Sequence, residues 1–74
     1  MKAGDTVRII KIPADLPDES QKIFALCLGR CFPVNAIESD GRVELLVGEV
    51  LGVQDYLHSL YLLPDEVELA KNSN

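Results

Sequence analysis

The sequence predicts a mainly β domain: a small closed or half-closed barrel of about five short strands, with one short α-helix inserted between the first and second strands. Three observations carry this. Short β-branched or alternating segments recur along the chain, separated by Gly, Pro and Asp turn signals. One segment, about residues 19–28, carries apolar residues at helical spacing. The chain has only 74 residues, so it buries roughly 60% of its surface on folding and has little other means of hiding its sheet edges. Closure into a barrel removes those edges.

Each element has a local cause. Thr6-Val7-Arg8-Ile9-Ile10-Lys11-Ile12 is β-branched, and its apolar residues on both faces predict a strand that bends or bulges. Pro13 ends it, because proline donates no ladder hydrogen bond. A loop follows, and Asp18 with Gln21 three residues on forms a capping-box pattern at the start of a helix. Ile23, Phe24, Leu26, Cys27 and Leu28 give that helix its apolar side, and Gly29 supplies its stop. Phe24 and Phe32 are expected in the core. At about ten residues the helix is too short to persist alone, so it must pack on the sheet.

From Cys31 to Glu38 the pattern is extended, with Pro33 placing the start of that segment on an edge or at a bulge. Ser39-Asp40-Gly41 is a tight-turn signal. Arg42 to Val50 alternates, with Val43, Leu45 and Val47 on one face and Glu44, Leu46 and Gly48 on the other. These two segments form the expected hairpin. Leu51 to Asp55 reads as a second reversal, and His58 to Leu63 as a further strand. Pro64-Asp65-Glu66 reads as one 3₁₀ turn, and Val67-Glu68-Leu69 as a short closing strand. The whole chain, 1–74, is a single domain, ordered over about 4–69, with 70–74 a flexible polar tail.

Composition restricts function. The formal net charge is −5. Residues 1–37 carry five bases (Lys2, Arg8, Lys11, Lys22, Arg30) against four acids, whereas residues 38–68 carry eight acids against Arg42 alone, a net of −7. Such a field repels a phosphate backbone and disfavours nucleic acid as a partner. Lys2 is followed by Gly4-Asp5 with no apolar leader segment, and no apolar run reaches the roughly 20 residues of a membrane span, so the reading is a cytoplasmic protein with no membrane partner. In that compartment Cys27 and Cys31 read as reduced thiols.

The sequence carries no catalytic signature. Cys27, Cys31 and His58 are the soft ligands and nucleophile candidates, but they are one ligand short of a closed zinc site, and Cys-x₃-Cys is looser than a zinc knuckle. Both thiols read more simply as small core residues. The five glycines are scattered, so no phosphate loop is present, and Ser59 lacks a Gly-x-Ser-x-Gly context. No catalytic, cofactor-binding or metal-binding residue is therefore assigned, and no cofactor is expected. The four aromatics, Phe24, Phe32, Tyr56 and Tyr61, are too few for a proline-peptide groove or a base-stacking platform.

The opening Gly4-Asp5-Thr6-Val7-Arg8-Ile9 resembles the first strand of bacterial SH3-like barrels, the pattern shared by KOW-type domains and the nitrile hydratase β-subunit barrel. Leu60-Tyr61-Leu62-Leu63-Pro64-Asp65-Glu66-Val67-Glu68-Leu69 is similar to their closing strand, helical turn and last strand. Leu28-Gly29-Arg30-Cys31-Phe32-Pro33-Val34 and Val47-Gly48-Glu49-Val50 also resemble a group of small bacterial proteins. The inserted helix departs from the plain barrel, so ligand sites used by other barrels at that loop do not carry over.

The leading functional expectation is an interaction or accessory module that docks on another protein or on a second copy of itself. Its candidate contact residues are Arg30, Leu46, Leu51, Val53, Tyr56, His58 and Tyr61, joined by Leu57 as a spare apolar residue. The acidic segment favours a basic partner. The alternatives are an RNA- or ribosome-contacting domain, which the KOW-type resemblance implies, and a minimal thiol or metal-dependent enzyme. Arg30 reads equally as a cation placed at a helix C-terminus.

Overall fold

Hydrogen bonding ends the first strand of this protein before its apolar pattern does. The computed structural model describes residues 1–70. Five antiparallel strands form one sheet: β1 (Thr6–Ile9), β2 (Cys31–Ile37), β3 (Val43–Leu46), β4 (Ser59–Leu62) and β5 (Val67–Leu69), in the order β4-β3-β2-β1-β5. A single helix, α1 (Asp18–Cys27), lies between β1 and β2. The mainly β class and the inserted helix are thus as expected. The expected polar tail falls almost entirely on 71–74, outside the described residues; Ala70, assigned to it, instead donates its N–H to Thr6 O at 2.9 Å.

β1 ends at Ile9, three residues before the expected Ile12. The N–H groups of Ile10 and Lys11 both turn to the carbonyl of Glu66, at 3.0 and 3.3 Å, which takes the chain out of the ladder. Ile10 is consequently exposed, and Ile12 packs against the core from the loop. The expected bend falls not in β1 but in β2. There the register shifts between Val34 and Ala36, a bulge that lets one strand pair with β1 at its start and with β3 at its end.

Pro33 sits in the central strand of the sheet, opposite Thr6, and not on an edge. The bulge explains why this is tolerated. Val34 N–H donates to Asp5 O at 2.7 Å on the β1 side. Alternation therefore turns the position of the missing Pro33 N–H to the opposite side, where pairing with β3 begins only at Val34.

The helix starts one residue earlier than the capping pattern predicts. Pro17 occupies the cap position, Asp18 is already helical, and no side chain caps the start. Gln21 holds the entry instead: its N–H donates to Pro17 O (3.0 Å) and its Nε2 to Leu16 O (2.9 Å). Asp18 and Glu19 lie in the first turn, where the helix dipole favours negative charge. The stop is as expected. Gly29 adopts φ +80°, and its N–H donates to Ile9 O at 2.8 Å, docking the helix end on β1.

The β2–β3 hairpin forms as expected, closed by Glu38 N–H to Arg42 O (2.8 Å) and Gly41 N–H to Glu38 O (2.9 Å). β3, however, ends at Leu46, not Val50. Residues Gly48–Leu51 form a 3₁₀ turn, and Asp55–Leu57 a second one, so residues 48–57 make an irregular arm. Gly48 is buried beneath the backbone of Gln54; a Cβ there would lie 2.0 Å from Gln54 O. Only a residue without a side chain permits that approach.

The expected 3₁₀ turn at Pro64–Glu66 is present. Glu66 is buried, and its Oε1 accepts Leu63 N–H at 2.8 Å while its own N–H donates to Leu63 O at 2.9 Å.

One core joins the sheet and the helix. Val7, Ile9, Phe32, Val34, Val43, Leu45, Leu60, Leu62 and Val67 come from all five strands, with Phe24 and Cys27 from α1 and Val47 from the arm's base. Period-two alternation accounts for the strand contributions, and Phe24 and Phe32 are core residues as expected. Cys31 is the exception to the thiol reading. Alternation along β2 buries Phe32 and Val34, so Cys31 faces outward and is exposed, while Cys27 is buried.

Candidate partner-binding surface

The outer face of β3 and β4 is built by alternation. Val43 and Leu45 point inward, so Glu44 and Leu46 point outward and are half-buried. Across the ladder Glu44 is the partner of Tyr61, and Leu46 is the partner of Ser59. The Glu44 carboxylate ties three strands together. Its Oε1 accepts from Asn35 Nδ2 on β2 at 2.6 Å, and its Oε2 accepts from Tyr61 O–H on β4 at 2.8 Å. The bond to Asn35, then that to Tyr61, holds the Glu44 carboxyl below its ordinary pKa. The same hydrogen bond and the adjacent negative charge push the Tyr61 phenol up.

Arg42 covers this group. Its guanidinium carbon stands 5.4 Å from the centroid of the Tyr61 ring, within cation–π range. The hairpin turn aims it. Asp40 Oδ1 accepts Arg42 backbone N–H at 3.1 Å, and Oδ2 accepts Arg42 Nε at 2.8 Å. Those contacts, the backbone one first, hold the Asp40 carboxyl below its ordinary pKa.

The arm 48–57 adjoins this face. Val47 N–H donates to His58 O at 2.8 Å, which fastens the arm's return to the end of β3. Along the arm Leu51, Val53, Tyr56 and Leu57 are all exposed, Tyr56 at 66% and Leu57 at 61%. The fold therefore places the anticipated contact residues unequally. Leu51, Val53 and Tyr56 share the arm. Half-buried His58 ends it, one residue before Ser59, the partner of Leu46, and Tyr61 lies two residues further along the same outer face. Arg30 stands apart at the α1–β2 junction, where its carbonyl accepts Ile9 N–H at 3.1 Å, and β2 separates β1 from β3.

Asn35, Glu44, Asp40 and Arg42 belong to the same surface, and sequence reasoning did not single them out. Alternation turns Glu44 outward, but only the pairing register of three strands shows that it meets Asn35 and Tyr61 together. A second exposed apolar group, Ile10, Leu26 and Leu28, lies near the helix end.

Cys27, Cys31 and His58 do not assemble. Among the described residues no group of three His, Cys, Asp or Glu side chains stands close enough to hold a metal ion. Cys31 faces Arg8 across the β1–β2 ladder. Burial pushes the Cys27 thiol pKa up, and the charge of Arg30 acts in the opposite direction. Of the basic residues in the first half, Arg8 is paired, its Nη1 standing 3.2 Å from Glu68 Oε1. No cavity or cleft opens among the described residues, and none of their helices is long and apolar enough to cross a membrane. Comparison of the chain with models of known protein families, with curated proteins and with solved structures yields no match.

Proposed function

We infer that the chain is a small SH3-like barrel that serves as a docking module for another protein, with the arm 48–57 and the adjoining β3–β4 face as its contact surface. The carrying observation is the run of exposed Leu51, Val53, Tyr56 and Leu57 on one irregular arm. Lone exposed apolar residues are ordinary on a protein surface, whereas a contiguous set rimmed by polar groups marks an interaction site. Tyr56 and Tyr61 add amphipathic rings of the kind enriched at interfaces. The strand order β4-β3-β2-β1-β5, with a 3₁₀ turn between β4 and β5, supports the SH3-like reading.

Tagged wild-type protein and a Leu51→Ser/Val53→Ser/Tyr56→Ser variant, matched for thermal stability, test this on extract of the source cells. The expected result is a protein retained by the wild type and lost by the variant. Retention of the same proteins by both, or of none by a monomeric wild type, removes the arm as a docking surface.

A further inference from the structure

β4 is an edge strand of the sheet, and the pairing register shows which of its backbone groups are free. Val47 N–H to His58 O (2.8 Å) is a hydrogen-bonded antiparallel pair. In an antiparallel ladder such pairs alternate with non-bonded ones. Leu46–Ser59 and Glu44–Tyr61 are then the non-bonded pairs, and Leu45–Leu60 and Val43–Leu62 the bonded ones. Leu60 and Leu62 thus spend their N–H and C=O groups on β3, while those of Ser59 and Tyr61 face the open edge. Beyond them the edge is closed, since both backbone groups of Leu63 are taken by Glu66. The result is a template of four outward backbone groups with a defined end.

The side chains beside this template have a sign. Tyr61 carries Glu44 on its hydroxyl, and the charge of Glu38 also reaches it. Asp40 lies in the adjoining turn, and Arg42, already paired with Asp40, is the cation on this face. The Tyr61 ring already holds one guanidinium, that of Arg42. A second copy of this chain paired β4 to β4 brings two such carboxylate groups together, which disfavours that occupant.

We propose that β4 accepts an extended, basic segment of a protein partner as an added strand, with backbone hydrogen bonds to Ser59 and Tyr61 and a Lys or Arg side chain set against Tyr61 and Glu44. This rests on the docking-module reading and names the chemistry of the partner. Edge-strand addition draws its affinity from main-chain bonds and its selectivity from alternate side chains.

The test is an NMR titration of the isotope-labelled full chain with a blocked peptide, Thr-Lys-Val-Lys-Val-Lys-Thr, and with its Glu-for-Lys counterpart. The basic peptide is expected to shift the Ser59 and Tyr61 amides and slow their hydrogen exchange by about tenfold or more. The double variant Glu38→Gln/Glu44→Gln is expected to weaken binding about threefold or more. Ser59→Pro, which deletes an outward N–H and leaves the β3 ladder bonds, is expected to abolish it. Equal binding of both peptides, no response at Ser59 and Tyr61, or a free protein that sediments as a dimer with those amides already protected overturns the proposal. Shifts confined to Leu51–Tyr56 overturn strand addition while leaving the arm as a docking surface.

Discussion

Replacing Gly48 with alanine is expected to destabilise the protein by about 2 kcal/mol, through close packing and not through backbone conformation. The added Cβ would lie 2.0 Å from Gln54 O, 2.9 Å from Gln54 C and 3.0 Å from Asp55 O. These are backbone atoms, so no side chain can rotate away, and the arm must retreat by about 1.4 Å to restore ordinary contact. Gln54 O accepts Leu57 N–H at 3.0 Å, and Gly48 O accepts Val53 N–H at 3.2 Å, so the retreat strains the bonds that shape the arm. Overpacking costs about 1–3 kcal/mol and a displaced hydrogen bond about 1 kcal/mol. The stiffer unfolded chain returns about 0.4–1 kcal/mol. At roughly 4–8 °C per kcal/mol for a domain of this size, Tm falls by about 8–16 °C. Thermal and urea unfolding followed by circular dichroism measure this, with the urea midpoint lowered at unchanged m. Gly52→Ala separates the causes, because Gly52 has φ +77° with open space around it. Its cost is conformational alone, about 1–2 kcal/mol. A Gly48→Ala protein within about 0.5 kcal/mol of wild type, the usual range for a featureless surface change, would refute the close-approach reasoning.

Other outcomes follow from the same contacts. In a Tyr56→Phe background, near-ultraviolet absorbance is expected to show Tyr61 ionising above its ordinary pKa of 10.0, with Glu44→Gln moving it back down. Asp40 and Glu44 are depressed, so the stability they add is present above their unfolded values and is lost as pH falls through the folded ones. Unfolding curves collected downward from pH 5 are expected to show Glu44→Gln losing less stability than wild type. A thiol reagent is expected to label Cys31 at once and Cys27 only on unfolding, because Cys27 is fully buried and its thiol pKa is raised. Two equally fast thiols would contradict the core placement. Phe32, 1% exposed at the centre of the core, is expected to cost about 3–5 kcal/mol as alanine. That is a large share of the stability on the order of 4–11 kcal/mol expected for a chain of this length, and calorimetry should find the unfolding transition sharply lowered in temperature.

Alternation made most of the core legible. It sets Val43, Leu45 and Val47 on one face, which the fold buries, and Asp40-Gly41 marks the hairpin turn. It failed where a tertiary hydrogen bond outweighs local pattern. Nothing within Thr6–Ile12 says that a carbonyl far along the chain, that of Glu66, will draw Ile10 and Lys11 out of the strand. Gly48 fitted the alternation of β3, yet its use is to let another backbone approach. The site was legible in part for the same reason. Leu51, Val53 and Tyr56 are neighbours in sequence and stay neighbours in space. Asn35, Glu44 and Tyr61 meet only through the registers of two strand pairs, one of them shifted by a bulge. Arg30, grouped with the contact residues by its position after the helix, is carried to the other side of β2 by the sheet order.

The pairing of β1 with β5 reaches beyond the folded state. Arg8 and Glu68 are 60 positions apart in the chain, yet they face each other in the ladder. The β2–β3 hairpin closes over a handful of residues, but β1 gains its outer neighbour only when the last strand exists. Loop closure must be completed before such a contact returns any free energy, which places this chain with the slower folders of its size. During synthesis β1 stands with its outer edge open until Val67–Leu69 has emerged. The sheet thus joins its first strand to its last, the closure that spans most of the described chain.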